Sequence, residues 1–143
     1  MSEVKPSPLR LLAEDAEDLA VISAALQDAV GRIGDIGFER SGRRLTLALN
    51  RYRWEGDGCA RVRCALQLGS VLSVQTRKLR RGAKDAVVEL LALSFDPGEA
   101  PGGVLTMSFA GGGDLRATVE CVDAVLVDVS APWLTPRTPV HAV

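Results

Sequence analysis

The chain has 143 residues, 47% of them apolar and 24% charged, and its formal net charge is −1. That length suits one domain around a single core, able to bury roughly 68% of the surface of its unfolded chain without a metal or disulfide. The apolar fraction excludes wholesale disorder, and no apolar run nears the roughly 18 residues of a membrane span.

The N-terminal stretch MSEVKPSPLRLLAEDAEDLA carries acids where a secretory leader would be apolar, so a cytoplasmic protein without a membrane partner is expected. Residues 1–13 read as an extended entry segment: Pro6 and Pro8 discourage helix, and Leu9, Leu11 and Leu12 can dock on the body. A helix follows, with Asp15 as N-cap and Asp18 three residues on in the manner of a capping box. Leu19, Ile22, Leu26 and Ala29 or Val30 make its apolar stripe, which runs to about Gly31. The acids Glu14, Asp15, Glu17 and Asp18 suit the positive end of the helix dipole better than a metal site.

Ile33 to Glu39 predicts a strand, Ser41-Gly42 a turn, and Arg43 to Trp54 a second strand. Leu45, Leu47 and Leu49 share a face. Beyond Asn50 the large apolar residues are Tyr52 and Trp54 and the polar ones Arg51 and Arg53, a change of parity that a β-bulge near Asn50 would produce. Glu55 to Gly58 is a turn. Ala60 to Leu68 alternates cleanly, with Val62, Cys64, Leu66 and Leu68 on one face and Arg61, Arg63 and Gln67 on the other.

Ser70 to Thr76 is another short strand, and Arg77 to Asp85 (RKLRRGAKD) a charged loop. Val87 to Phe95 is apolar on both faces, as a central strand would be, and Asp96-Pro97-Gly98 stops it. The strongest local signal is a hairpin: Val104 to Phe109 and Leu115 to Cys121 alternate on either side of Gly111-Gly112-Gly113-Asp114, a turn that tolerates positive φ. Residues 122–128 fit a strand by their valines, or a helix by the spacing of Val122 with Leu126 and Cys121 with Val125. Residues 132–143 form an irregular Pro-rich tail with Trp133 as its anchor.

The fold class is therefore α+β and β-dominated: an N-terminal helix plus seven or eight mostly antiparallel strands in a sandwich or partly open barrel. A helix at 122–128 would instead make a pleckstrin-homology-like barrel with a C-terminal helix. The single globular domain spans 14–131.

Charge is distributed unevenly. From Arg40 to Lys84 there are twelve bases against Glu55 and Asp57, whereas the rest of the chain holds five bases and sixteen acids. If the strands 43–54 and 60–68 pair, Arg51, Arg53, Arg61 and Arg63 can line one sheet face, where planar guanidinium forks suit carboxylate or phosphate. The competing expectation is that acids of neighbouring strands, such as Glu89, Glu120 and Asp123, neutralise them. Six aromatic residues are few for a base-stacking platform, so nucleic acid is the less favoured partner.

Signals for chemistry are weak. Three cysteines, an odd number, argue against a disulfide framework, and Cys59, Cys64, Cys121 and the lone His141 are poorly spaced for zinc. Cys64 and Cys121 read as small core residues. The glycine run at 111–113 lacks the Lys-Ser/Thr and helix start of a phosphate loop. No catalytic residue, metal or cofactor is expected.

The segments LLAEDAEDLAVISAALQDAV, LNRYRWE, KDAVVELLALSFDPGEAPGG and FAGGGDLRATVECVDAVLVDVSAPW together resemble a small bacterial family known only as a domain of unknown function, over about Leu9 to Trp133. The resemblance implies a short, stand-alone cytoplasmic protein and carries no functional residue over. The sequence thus points to a non-enzymatic binding or adaptor module, with a protein as the favoured partner and a homo-oligomer as a further arrangement. The alternative is a small enzyme or small-ligand-binding barrel whose pocket would use Glu120, Asp123 or Tyr52.

Overall fold

The computed structural model describes residues 8–54 and 60–134. In chain order the elements are β1 (Arg10–Ala13), α1 (Ala16–Ala25), β2 (Val30–Arg32), a 3-10 turn (Ile33–Asp35), β3 (Ile36–Glu39), β4 (Arg44–Tyr52), β5 (Ala60–Leu68), β6 (Val71–Arg77), β7 (Val87–Pro97), β8 (Gly103–Phe109), β9 (Asp114–Val119), β10 (Ala124–Asp128) and β11 (Trp133–Leu134). The fold is β-dominated, with one helix and eleven strands among the described residues. All strand pairings are antiparallel and run in the path β1-β10-β5-β4-β2-β7-β8-β9-β6, with β11 beside β5 and β3 beside β4. The path ends at β1 and β6, so the sheet is not closed into a barrel.

The strands beyond the expected seven or eight are short ones. Arg10–Ala13 is not merely an entry segment: it pairs with β10, so the sheet extends upstream of residue 14. Trp133–Leu134 likewise pairs with β5 at Arg61 and Ala60, so the start of the tail belongs to the sheet. The predicted turn at Glu55 to Gly58, Cys59, His141 and the rest of the tail lie outside the described residues.

The helix is capped as its sequence predicts. The Asp15 carboxylate accepts the Asp18 N–H at 2.7 Å, and Leu19 and Ile22 are buried beneath it. It ends at Ala25, short of Gly31. Asp28 takes a left-handed backbone (φ 66) and its N–H donates to the Leu90 carbonyl, so the chain peels off to pair with β7 as β2. A helix of this length is marginal in water; its packing on β7 and β1 holds it, and Ser23 Oγ accepts the Leu93 N–H at 2.9 Å.

β4 and β5 pair without a break from Leu45 opposite Leu68 to Tyr52 opposite Arg61. There is no bulge at Asn50. Leu45, Leu47, Leu49 and Arg51 all face the core, opposite Leu68, Leu66, Cys64 and Val62. β7 lies inside the sheet, between β2 and β8, but only one of its faces is buried: Val87 and Leu91 are exposed, and the register shifts between Leu90 and Ala92.

The glycine hairpin forms as expected. Gly111 and Gly112 have φ of 90° and 93°, and Leu105, Met107 and Phe109 bury with Leu115, Ala117 and Val119. Residues 124–128 are a strand, not a helix. The parity change before them is a break in the chain's course, because β9 ends at Val119 beside β6 and β8 while β10 pairs with β1 and β5.

Candidate functional site

The four arginines of the sequence reading do not share a face. Directly opposed residues of an antiparallel pair project to the same side, so Arg51, opposite Val62, faces inward. Arg63 opposite Asn50 and Arg61 opposite Tyr52 face outward. Arg53 lies just past β4, half-buried, with its backbone N–H on the Ala60 carbonyl at 2.9 Å.

Arg51 is fully buried and makes a two-pronged pair with Asp128 of β10: Nε to Oδ1 and Nη2 to Oδ2, each 2.8 Å. Asp128 Oδ2 also accepts the Leu9 N–H at 2.9 Å. A buried charge must be both paired and hydrogen-bonded, and this one ties β4, β10 and the N-terminal segment together. It is therefore withdrawn from any open cationic face. The beside-lying Cys64 is buried as well. Loss of solvent pushes its thiol up from 9.0 to about 12, against the pull of the Arg51 charge, so it is a packed core side chain and a poor nucleophile.

Arg63 reaches Asp35 (Nη2 to Oδ2, 3.1 Å) and the Asn50 side-chain oxygen (Nη1, 3.2 Å), half-exposed beside a cleft of about 320 Å³ that Val30, Arg32 and Val87 also line. Of the acids expected to neutralise these arginines, Glu120 pairs with Arg43, and among the described residues Glu89 and Asp123 form no ion pair.

Arg61 is placed differently. Its Nη1 donates to the carbonyls of Asn50 (3.2 Å) and Asp28 (3.4 Å), and among the described residues it meets no carboxylate. Tyr52 sits opposite it on β4 and Trp133 opposite it on β11. Trp54 stands edge-on to Tyr52, ring centroids 4.5 Å apart. The chain has two tryptophans and one tyrosine: Trp133 and Tyr52 flank Arg61 in register, and Trp54 packs on Tyr52. Tyr52 is buried, while Trp54 and Trp133 are 40% and 41% exposed, with Leu134 open beside them. In the sequence Arg61, Tyr52 and Trp54 stand out only singly, and Trp133 reads as part of a tail. A two-residue strand has no periodicity of its own; only the unfilled lane on β5 beyond β10 indicates it.

Of Glu120, Asp123 and Tyr52, each a candidate for the pocket alternative, Tyr52 lies far from the other two. Glu120 and Asp123 flank the Gly69-Ser70 turn through backbone bonds (Glu120 N–H to Ser70, Gly69 N–H to Asp123). Tyr52 lies seven residues along β4 from Leu45, the partner of Leu68, or about 23 Å away at 3.3 Å per residue. Glu120 lines a surface cleft of about 560 Å³. Among the described residues no helix is long and apolar enough to cross a membrane.

A family model described as protein of unknown function (DUF2948) matches residues 9–141. No curated protein and no solved structure matches the chain significantly. The match spans most of the sequence, and the chain belongs to that family.

Proposed function

We propose that this member of the DUF2948 family is a non-enzymatic protein-binding module, and that it recognises its partner through the row Trp133, Arg61, Tyr52 with Trp54 beside it. One observation carries the reading: Trp133 and Tyr52 flank Arg61 in register, Trp54 packs on Tyr52, and Arg61 has no carboxylate among the described residues. Trp, Tyr and Arg dominate the energetics of protein interfaces, because they combine large rigid area with directed polar contacts. The two carbonyls under Arg61 hold its guanidinium in place before a partner arrives, which lowers the ordering cost of binding. An acidic side chain on the partner would complete the site.

The location also supplies a probe. Both tryptophans lie on this surface, so their emission reports on it without a label. The full chain used as bait, and the variants Arg61→Ala and Trp54→Ala/Trp133→Ala, are compared by affinity capture from the source cells; the captured partner is then purified and titrated. The reading expects wild type to retain the partner, each variant to lose roughly 30-fold or more in affinity, and emission to shift blue on binding. A partner that binds variants and wild type equally, with unchanged emission, overturns it. Steeply salt-dependent retention of RNA or DNA that the same variants lose would replace the protein partner with a nucleic acid.

A further inference from the structure

β6 ends the strand path: β9 pairs with one side of it, and among the described residues no strand pairs with the other. Folded proteins normally blunt such an edge with short length, charge, proline or a bulge. At the opposite end of the path β1 is four residues long and follows Pro8 closely. β6 is seven residues long, and its stretch Leu72–Thr76 carries neither charge nor proline. Its irregularity sits at the start, between Val71 and Ser73, and leaves the rest regular. Leu72 is 48% exposed, and Val74 and Thr76 are only half-buried.

The neighbourhood of this edge is a seam. The Val71 N–H donates to the Arg43 carbonyl at 2.9 Å, so β6 begins against the turn that follows β3. Further along, Thr76 of β6 and Ile36 of β3 line a cleft of about 230 Å³ together with Ile33, Leu79 and Leu115, and Arg81 and Lys84 stand at the same cleft. The sheet would close here if β3 and β6 paired; a gap with apolar walls lies between them instead. In the segments that follow β3 and β6, Arg40, Arg44, Lys78, Arg80, Arg81 and Lys84 take part in no ion pair among the described residues, and Arg81 and Lys84 are the two at the cleft.

We propose that the free edge of β6 is a strand-addition site for an extended, acidic segment of a protein partner. The segment's backbone pairs with β6, one of its apolar side chains enters the cleft beside Ile36 and Thr76, and its carboxylates meet the unpaired cations. Backbone pairing supplies affinity and the pocket supplies register, as in other strand-addition complexes. Charge selects the occupant. A second copy pairing β6 with β6 about a two-fold axis would set each chain's basic loop after Arg77 against the Arg43-Arg44 turn of the other, like charge on like. This site is independent of the tryptophan surface: Ile36 at the cleft pairs with Leu47 of β4, and Tyr52 lies five residues further along that strand, about 17 Å off. Two sites so placed would let one chain bridge two partners.

The test uses the full chain and a short labelled peptide of alternating glutamate and valine, with a proline-interrupted version and a lysine-valine version as controls. Anisotropy at low salt should show binding of the acidic extended peptide alone. The exposed pair Arg81→Glu/Lys84→Glu should weaken it roughly tenfold or more. Hydrogen exchange should show new protection at Leu72–Thr76, while tryptophan emission stays fixed. Failure to bind at low salt, equal binding of the proline-interrupted peptide, or unchanged β6 exchange at saturation overturns the proposal. Concentration-dependent self-association that protects β6 overturns the choice of occupant. Because the tryptophans do not report on this edge, failure here leaves the Arg61 surface standing, and the reverse.

Discussion

At the scale of single residues, the Arg51–Asp128 pair is where sequence logic and structure part most informatively. Alternation along β4 put Arg51 on the face of Leu45, Leu47 and Leu49, and a bulge was the inexpensive way to keep a charge out of the core. The chain instead buries the charge and supplies Asp128, 77 residues away, as its partner. Nothing local to either residue announces the other. Breaking such a pair leaves an uncompensated buried charge, so Arg51→Met or Asp128→Leu alone should each cost about 3–5 kcal/mol. The double variant Arg51→Met/Asp128→Leu should recover much of that loss. Denaturant midpoints of the four proteins in a double-mutant cycle check this, and additive losses would show that the two groups are not coupled. Cys64 offers a second, pH-based reading of the same layer. Its folded pKa is raised to about 12 from 9.0, so above pH 9 the unfolded chain releases a proton that the folded chain keeps. Stability from this group is full below pH 9 and falls as pH rises from about 9 towards 12, by up to about 1.4 kcal/mol per unit. Thermal melts of wild type and Cys64→Ala across that window should differ in slope, with the steeper alkaline decline in wild type.

At the scale of elements, legibility followed length. Ala60–Leu68 was found to the residue, and the glycine hairpin and the Asp15 cap were found because each carries its own periodicity or turn chemistry. Residues 124–128 resolved to the strand that their valines favoured. The helix was drawn past its end because Ala29 and Val30 continue its apolar spacing; pairing of Val30 with Asn50 and Glu89 outweighed propensity there. β1, β2 and β11 hold four, three and two residues and are strands only because a neighbour offers an edge. The Trp133–Arg61–Tyr52 row depends on one of these borrowed strands, which is why its members were visible singly and not as a site.

At the scale of the whole molecule, the N-terminal strand decides where the domain begins. Drawing the boundary at residue 14 leaves β10 as the sheet edge and strips from the core Leu9, Leu11 and the buried Ala13. It also removes the Leu9 N–H from Asp128, one of the donors that compensates the buried carboxylate. The apolar surface alone corresponds to about 3 kcal/mol, and loss of a hydrogen bond to a charged group adds about 1.5–3 kcal/mol. Those sums are a large fraction of the 5–15 kcal/mol by which domains are stable. A chain starting at Glu14 should therefore melt far lower than the full chain or fail to fold, and any folded fraction should exchange the amides of Ala124–Asp128 quickly. The substitution Leu12→Ser, at a side chain 62% exposed on the same strand, should stay within about 0.5 kcal/mol of wild type. If the truncated chain instead melts with wild-type midpoint and protection, residues 10–13 are an appendage and the sheet begins at β10; if only the truncation is damaging, the Asp128 carboxylate and the strand that caps it set the true edge of the domain.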